Sequence, residues 1–221
     1  MTRRTRLRSP LAVTVVAIVA IVVAGIVVLL GRDDSPSVTS ADGSGAVVRA
    51  DSHRLTDPPQ SRAQFVEFLD FECEACAAVH PLIEELRASY GDQVTFVVRY
   101  FPMPGHVNGE RAARAVEAAA HQGRFEQMYQ RMFSTQSQWG EREEPADGVF
   151  RTFAADLGLD MAGFDESYHA PATIERVRAD VADGLSLGVQ GTPTFFLDGM
   201  RLQPTSYDDL VAAIEERLSD A

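Results

Sequence analysis

Two cysteines separated by two residues, Cys73 and Cys76, are the sharpest chemical feature of this sequence, and the chain has no others. They follow an apolar segment typical of a buried strand and open a segment with helical periodicity. The first turn of a helix has unpaired N–H groups and the positive end of the helix dipole, which stabilise a thiolate. We therefore expect a lowered pKa for Cys73. Cys76 lies one turn further on, so the two sulfurs could pair reversibly, one attacking or being attacked and the other resolving the mixed disulfide.

Three plainer interpretations of the cysteine pair remain open. It could be a static structural disulfide, half of a zinc site, or two thiols that are simply buried. Zinc is disfavoured because the sequence has no second cysteine pair and its five histidines are scattered, so we expect no metal site. The position between a strand and a helix favours a redox-active pair.

The segment Gly191-Thr192-Pro193-Thr194 precedes a predicted strand. A proline at the start of a strand lacks a hydrogen-bond donor for the sheet. If the Thr192–Pro193 peptide bond is cis, the turn exposes the backbone of Thr192, which could pair with an extended substrate segment beside the cysteines. The alternative is an ordinary trans turn.

The elements around these residues predict an α/β domain. Residues 64–71 have apolar side chains on both faces, as in a central strand covered on both sides. Residues 93–100 form a second strand, and the turn Asp198-Gly199 predicts a β-hairpin. Ser206 can cap a last helix. A mixed sheet between helices is the expected packing, with a helix-rich block at about 102–170 inserted into a smaller α/β core.

Residues 62–221 resemble the DsbA-like thiol–disulfide oxidoreductases. Pro81 matches the proline that kinks the active-site helix in thioredoxins. The resemblance implies a thioredoxin-like fold with a helical insert. It is carried by the segments EFLDFECEAC, RYFPMPGH, ERAARAVEAAAHQGRFEQMYQRMF and GVQGTPTFFLDG.

The resemblance also implies roles for single residues. Cys73 corresponds to the nucleophile and Cys76 to the resolving thiol. Thr192 and Pro193 correspond to the cis-proline loop that lines the substrate groove. Glu67 corresponds to a buried acid under the cysteines, where a raised pKa would suit it to shuttle the proton of Cys76. The alternative is a salt-bridged structural glutamate.

The dipeptide between the cysteines departs from the family pattern. Strong oxidants of the family carry Pro-His there, whereas this chain carries Glu-Ala. Asp70, Glu72 and Glu74 add acids near Cys73, and we expect these to be exposed, with interactions of a few tenths of a kcal/mol each. Weaker thiolate stabilisation predicts a reduction potential more negative than that of the strongest oxidants. We expect His106, where the family often has a histidine, to pack or cap rather than catalyse.

The N-terminal region predicts a membrane anchor. Residues 1–10 carry four arginines and no acid, and residues 11–30 are uncharged. As a helix this run spans about 30 Å, the thickness of a bilayer core. The flanking arginines favour a cytoplasmic N-terminus and an extracytoplasmic catalytic domain on a single-pass protein of the cell membrane. A cleaved signal peptide is the alternative, but the run is longer than the apolar core of a signal peptide, about 7–15 residues, and does not end at a small-residue cleavage site. We interpret residues 31–61 as a flexible linker.

The net charge of −12 argues against nucleic acid as a partner. We expect a monomeric disulfide oxidase acting on unfolded exported proteins that contain cysteine. By the resemblance, a quinone-linked membrane protein of the DsbB or vitamin K epoxide reductase type would reoxidise it. No cofactor is required, because the cysteines carry the electrons. A thiol reductase or disulfide isomerase is the first alternative, and a redox-inactive peptide-binding or chaperone-like module with a structural disulfide is the second.

Overall fold

A computed structural model describes residues 45–220 of the chain. A five-stranded mixed sheet with the order β1-β3-β2-β4-β5 lies at its centre. The two long central strands, β2 and β3, are parallel, and the other three pairs are antiparallel. The strands are β1 (His53–Arg54), β2 (Ala63–Leu69), β3 (Val94–Tyr100), β4 (Thr194–Leu197) and β5 (Met200–Arg201).

Helices surround this sheet, and a group of four lies between β3 and the helix that leads back to β4. This group, α2 to α5, is the helical insert of a thioredoxin-like fold, as the sequence predicts. The helices are α1 (Glu74–Tyr90), α2 (Gly109–Ala120), α3 (Phe125–Thr135), α4 (Asp147–Asp156), α5 (Met161–His169), α6 (Pro171–Ser186) and α7 (Tyr207–Ser219).

The alternation of side chains along β2 builds a core on each face of the sheet. Phe65 points into a cluster formed with α1 and α7, and Val66 and Phe68 point into a cluster on the opposite face. A third cluster fills the insert and reaches Leu69 and Cys76 at the end of the sheet. The strand is therefore covered on both sides, as its two apolar faces predict.

Local sequence signals agree with the structure at several turns. Asp198 and Gly199 have φ values of 48° and 81° in the β4–β5 turn, a conformation that glycine adopts without strain. The Ser206 side chain accepts the Asp209 N–H in a capping box at the start of α7. Strand β2 ends at Leu69, earlier than the predicted Phe71, because the Asp70 carboxylate accepts the Glu72 N–H and turns the chain.

The prediction of a flexible linker over 31–61 is wrong for its second half. Strand β1 pairs with β3, and the Arg99 side chain donates to the carbonyl groups of Ala46 and Val47 at 2.7 and 2.6 Å. Residues 45–61 are thus part of the folded domain, held by a buried side chain that is distant in sequence.

The predicted basic tail at 1–10, the membrane span at 11–30 and the first part of the linker lie outside the described residues. Within residues 45–220 no helix has the length and apolar character needed to cross a membrane.

Candidate active site

The two cysteines lie at the start of α1, directly after β2. Cys73 is the N-cap residue of the helix and is partly exposed, whereas Cys76 in the first turn is fully buried. Both are free thiols in the structure. One sulfur can therefore meet another molecule while its neighbour faces the insert core, which is the asymmetry that a nucleophile and a resolving thiol require.

The loop before β4 brings Thr192 to the cysteines. Cys73 Sγ lies 3.4 Å from the Thr192 carbonyl oxygen, which accepts a hydrogen bond when the thiol is protonated, and the Thr192–Pro193 peptide bond is cis. Antiparallel pairing of β4 with β2, with Thr194 opposite Phe68, fixes this contact between segments about 120 residues apart. The structure thus brings together Cys73, Cys76 and the Thr192–Pro193 loop.

The environment separates the acidities of the two thiols. Hydrogen bonds from Cys76, together with backbone N–H groups of the first helical turn, lower the pKa of Cys73 to about 5. Burial raises the pKa of Cys76 well above its usual value, and the nearby Glu67 charge adds to this. Cys73 is therefore a thiolate at neutral pH, and Cys76 is a protonated thiol that must lose its proton to react.

Glu67 lies on β2 beneath the cysteines and is almost fully buried. Burial, followed by the charge of Glu84, raises the pKa of Glu67 to about 8. No group within residues 45–220 forms a hydrogen bond with its carboxyl. The alternative of a salt-bridged structural glutamate is therefore disfavoured in the described part of the chain.

The expectation that the acids next to Cys73 are exposed is wrong for two of the three. Asp70 and Glu72 are each only 1% exposed, and Glu74 is exposed. Asp70 accepts the N–H groups of Glu72 and Met103 at 2.9 and 2.8 Å, and these bonds offset part of the rise that burial causes in its pKa.

These buried acids attach the active-site turn to the insert. The Glu72 carboxylate accepts the N–H of Asn108 at 2.6 Å, immediately before α2. His106 Nδ1 lies 2.6 Å from Asp70 Oδ2, so the histidine holds the acid of the turn rather than either cysteine. Gly109 packs closely against the Asp70 carboxylate, because a Cβ atom on this residue would lie 2.8 Å from Asp70 Oδ1.

Two polar residues that follow Cys76 on α1 lie near the site without having been predicted there. His80 and Glu84 come at successive intervals of four residues, which places them on the same side of the helix as Cys76. His80 Nδ1 lies 3.2 Å from the hydroxyl of Tyr129 on α3. The four-residue spacing of these polar residues after a reactive cysteine is the sequence pattern from which they could have been predicted.

No cluster of three or more histidine, cysteine or acidic side chains suited to a metal ion occurs in the described chain. The chemistry of the site therefore has to be argued from the two sulfurs, the Thr192 carbonyl and the buried acid.

Residues 58–216 match the profile of a protein family described as thioredoxin. The chain belongs to the thioredoxin family. Solved structures similar to it include alpha-DsbA1 from Wolbachia pipientis, with a TM-score of 0.70, 16% identity and coverage of 79% of this chain and 94% of that one. Another is oxidised BdbD from Bacillus subtilis, with a TM-score of 0.68, 20% identity and coverage of 80% and 97%. The fold is thus that of the DsbA-like thiol–disulfide oxidoreductases.

Curated proteins that match part of this chain are much longer than it is. The Na(+)/H(+) antiporter NhaA of Herminiimonas arsenicoxydans is 42% identical over 154 residues, which are 70% of this chain and 23% of the antiporter. This thioredoxin-family chain therefore spans about a quarter of the length of the antiporters that it matches.

Proposed function

We propose that this protein is an extracytoplasmic disulfide oxidase that introduces disulfides into exported proteins through a reversible Cys73–Cys76 pair. The observation that carries the proposal is the contrast between the two thiols. Cys73 is partly exposed, has a pKa of about 5 and contacts the Thr192 carbonyl, whereas Cys76 is fully buried. A low-pKa thiolate with an adjacent resolving thiol is the arrangement for thiol–disulfide exchange.

The reaction starts from the Cys73–Cys76 disulfide. A substrate thiolate attacks the Cys73 sulfur, which forms a mixed disulfide and breaks the bond to Cys76. Cys76 leaves as a thiolate, and the protonated Glu67 carboxyl supplies its proton. A second substrate thiolate then attacks the substrate sulfur of the mixed disulfide. The substrate gains a disulfide, and Cys73 is released as a thiolate, a good leaving group because its pKa is low.

The loop at Thr192 and Pro193 is the proposed substrate groove. Thr192 is partly exposed, and its backbone carbonyl lies next to the Cys73 sulfur. An extended peptide that pairs with this backbone would place a substrate cysteine beside Cys73, and main-chain pairing tolerates many sequences. Such pairing would allow many different unfolded chains to bind, rather than one specific protein.

The proposed location is the outer side of the cell membrane. The support is the uncharged run at 11–30 behind an arginine-rich tail, together with the antiporter relatives, in which a similar sequence is part of a protein named for ion transport. Anchoring would hold the domain near a quinone-linked membrane reoxidase of the DsbB or vitamin K epoxide reductase type and raise its effective concentration.

The dipeptide Glu74-Ala75 favours a second candidate, a thiol reductase or disulfide isomerase. The pKa of Cys73, about 5, is higher than the value of about 3.5 known for a strong oxidant of the DsbA type. A less stabilised thiolate makes the disulfide form relatively more stable, so the reduction potential of the cysteine pair becomes more negative.

Two activity assays with the full chain test the proposal. An oxidase accelerates the refolding of reduced ribonuclease in its disulfide form, and a reductase accelerates the reduction of insulin in its dithiol form. The variant Cys73→Ser should lose both activities, and Cys76→Ala should accumulate mixed disulfides with substrates. In intact cells, thiol alkylation and gel shift should find the pair mostly oxidised. A mostly reduced pair would favour the second candidate, and full activity of Cys73→Ser would refute both.

A further inference from the structure

The turn from β2 to α1 fixes the position of the nucleophile, because Cys73 lies at its end. Within this turn the Cys73 N–H donates to the Asp70 carbonyl oxygen at 3.1 Å, and the Glu72 N–H donates to the Asp70 carboxylate at 2.9 Å. The N–H groups of the first turn of α1 stabilise the Cys73 thiolate only while the residue keeps its place at the start of the helix. The stability of this thiolate therefore depends on how firmly Asp70 is held.

The Asp70 side chain is completely buried and joins the turn to the loop that follows β3. Its Oδ2 atom accepts the Met103 N–H at 2.8 Å, and His106 Nδ1 lies 2.6 Å from the same atom. One carboxylate thus holds the segment before the nucleophile and a segment 33 to 36 residues further along the chain. A buried carboxylate needs such donors, so the loss of one of them leaves part of its charge uncompensated.

The His106 side chain is itself held between two parts of the structure. Its Nδ1 atom faces a carboxylate, which only accepts, so this nitrogen carries a hydrogen and donates it to Asp70. On the other side of the ring, Nε2 lies 3.8 Å from Glu141 Oε1 in the segment before α4. The backbone N–H of His106 donates to the Met103 carbonyl oxygen at 3.1 Å. These contacts give the ring one defined orientation toward Asp70.

The charged groups around the ring favour its protonated form. Burial alone would lower the pKa of His106, but the hydrogen bond from Asp70 and its negative charge outweigh burial and raise this pKa. The charges of Glu141, from the segment before α4, and of Glu72, from the active-site turn, raise the pKa further. His106 and Asp70 therefore form an ion pair that is also a hydrogen bond, which is the stronger kind of polar contact.

We propose that His106 is a positioning residue of the active site, which holds Asp70 and thereby keeps Cys73 at the N-terminus of α1. The proposal rests on the proposed function, because it gives His106 a part in the reactivity of the Cys73 thiolate. The effect passes through two hydrogen bonds. One runs from the His106 ring to the Asp70 carboxylate, and the other runs from the Cys73 N–H to the Asp70 carbonyl oxygen.

Removal of the His106 donor should weaken the Cys73 thiolate. The buried Asp70 charge then lacks one partner, and the turn lowers its energy by moving this carboxylate toward water. The same residue accepts the Cys73 N–H, so its movement shifts Cys73 away from the N–H groups of the helix. The thiolate loses stabilisation, its pKa rises, and the disulfide form becomes relatively more stable than the dithiol.

The test measures the Cys73 thiolate directly in the reduced full chain. The rate of Cys73 alkylation by iodoacetamide is followed against pH by mass spectrometry, and the wild type should give a midpoint near 5. His106→Ala removes the donor and should raise this midpoint by about one unit, which is a tenfold smaller acid dissociation constant. In equilibrium with glutathione at neutral pH, the cysteine pair of this variant should be about tenfold harder to reduce, a shift of about 30 mV.

Two neutral variants separate the hydrogen bond from the charge of the ring. His106→Asn places an amide N–H where Nδ1 lies and should keep the midpoint within about 0.3 unit of the wild type. His106→Gln places its amide nearer to the Nε2 position, facing Glu141, and should raise the midpoint as the alanine variant does. The two amides have the same polarity, so their comparison decides the question even where His106→Ala does not fold. His169→Ala, at an exposed histidine of α5, is the matched control and should behave as the wild type.

Two results would overturn the role of His106. A wild-type midpoint in the alanine and glutamine variants would show that Cys73 keeps its place without this residue. An equal rise in the asparagine and glutamine variants would show that the ring acts through its charge rather than by holding Asp70.

Failure of the proposed function gives a different result. In that case the wild-type chain forms no Cys73–Cys76 disulfide with oxidised glutathione, whatever the alkylation midpoints are. A wild type that equilibrates with glutathione, together with equal midpoints in all the His106 variants, refutes the positioning role alone.

Discussion

Two buried ionisable side chains on neighbouring strands have opposite environments. In the β2–β3 ladder Glu67 pairs with Val98, and Phe68 pairs with Arg99, so Glu67 and Arg99 lie one position apart on opposite faces of the sheet. Both are nearly or fully buried. Arg99 donates to two carboxylates and two carbonyl groups, whereas Glu67 has no hydrogen-bond partner in the described chain.

This contrast separates a structural charge from a reactive one. Arg99 is paired with Asp180 at 2.7 Å and Asp183 at 2.6 Å, and its bonds to residues 46 and 47 hold the N-terminal segment on the sheet. These contacts give Arg99 a structural role. Glu67 lacks such partners, its pKa is raised to about 8, and it lies beside a redox-active thiol, which is typical of groups that exchange protons.

Removal of Arg99 should give the largest loss of stability. Arg99→Met leaves Asp180 buried with one cation fewer, and breaking a buried ion pair from one side costs about 3–5 kcal/mol. Because Arg176 still pairs with Asp180 at 2.5 Å, we expect about 3 kcal/mol, measured by urea unfolding. The exposed Arg178 on the same helix as Asp180 provides the control, and Arg178→Met should change stability by less than about 0.5 kcal/mol. Equal effects of the two variants would contradict the structural role of Arg99.

Whereas the Arg99 variant lowers stability, Glu67→Gln should slow the redox reaction. Without the proton acceptor, formation of the Cys73–Cys76 disulfide from the mixed disulfide should slow about 100-fold, within the range for general acid–base groups. Stopped-flow or acid-quench kinetics on the full chain would measure this. A rate within threefold of wild type would show that Cys76 does not use Glu67.

The same variant should be more stable than the wild type in alkaline solution. The folded pKa of Glu67, about 8, lies above its usual value of 4.5, so ionisation costs folding stability. The cost is absent below about pH 4.5, grows as the pH rises, and levels off above about 8. The glutamine variant of the reduced protein should therefore gain on the order of 4 kcal/mol at pH 8 and nothing at pH 4. A gain independent of pH would contradict the raised pKa.

Asp70 in the active-site turn resembles Arg99 rather than Glu67, because its side chain is buried and fully hydrogen-bonded. Gly109→Ala would place a Cβ 2.8 Å from its Oδ1 atom and should cost about 1–3 kcal/mol by overpacking. The matched control is Gly148→Ala in α4, where nothing lies within 4 Å. A helical glycine in open space should gain about 0.5–1 kcal/mol on this change. Thermal unfolding of both variants checks the difference, and a stabilised Gly109→Ala protein would show that the turn and the insert are not in close contact.

The features that can be predicted from the sequence are local ones. Each of three features depends on a few neighbouring residues: the period of two along β2, the start of α1 at the cysteines, and the Asp-Gly turn. The contact of the Thr192 loop with Cys73 is not local, and it was predicted from the resemblance to the DsbA-like family. The burial of Glu67 follows from the same alternation, since it shares a face with Phe65.

The parts that could not be predicted depend on contacts between distant segments. Asp70 and Glu72 look like solvated acids in the sequence, and they are buried because Met103, His106 and Asn108 supply donors from the far side of β3. Residues 45–61 look like a polar linker, yet Arg99 binds their backbone. Buried polar groups whose hydrogen-bond partners are distant in sequence produce no periodic pattern in the sequence. Composition alone therefore predicts that they are exposed.

The smallest effect should come from Glu74, the exposed acid beside the nucleophile. Its negative charge disfavours the Cys73 thiolate, but an exposed charge contributes only a few tenths of a kcal/mol, so Glu74→Gln should lower the pKa of Cys73 by about 0.2 unit. The rate of Cys73 alkylation by iodoacetamide against pH measures this, with a wild-type midpoint near pH 5 and a buried Cys76 that does not react. A decrease of one unit or more would mean that Glu74 controls the thiolate directly. The residue between the cysteines, rather than the N–H groups of the helix and the partner thiol, would then set the redox potential.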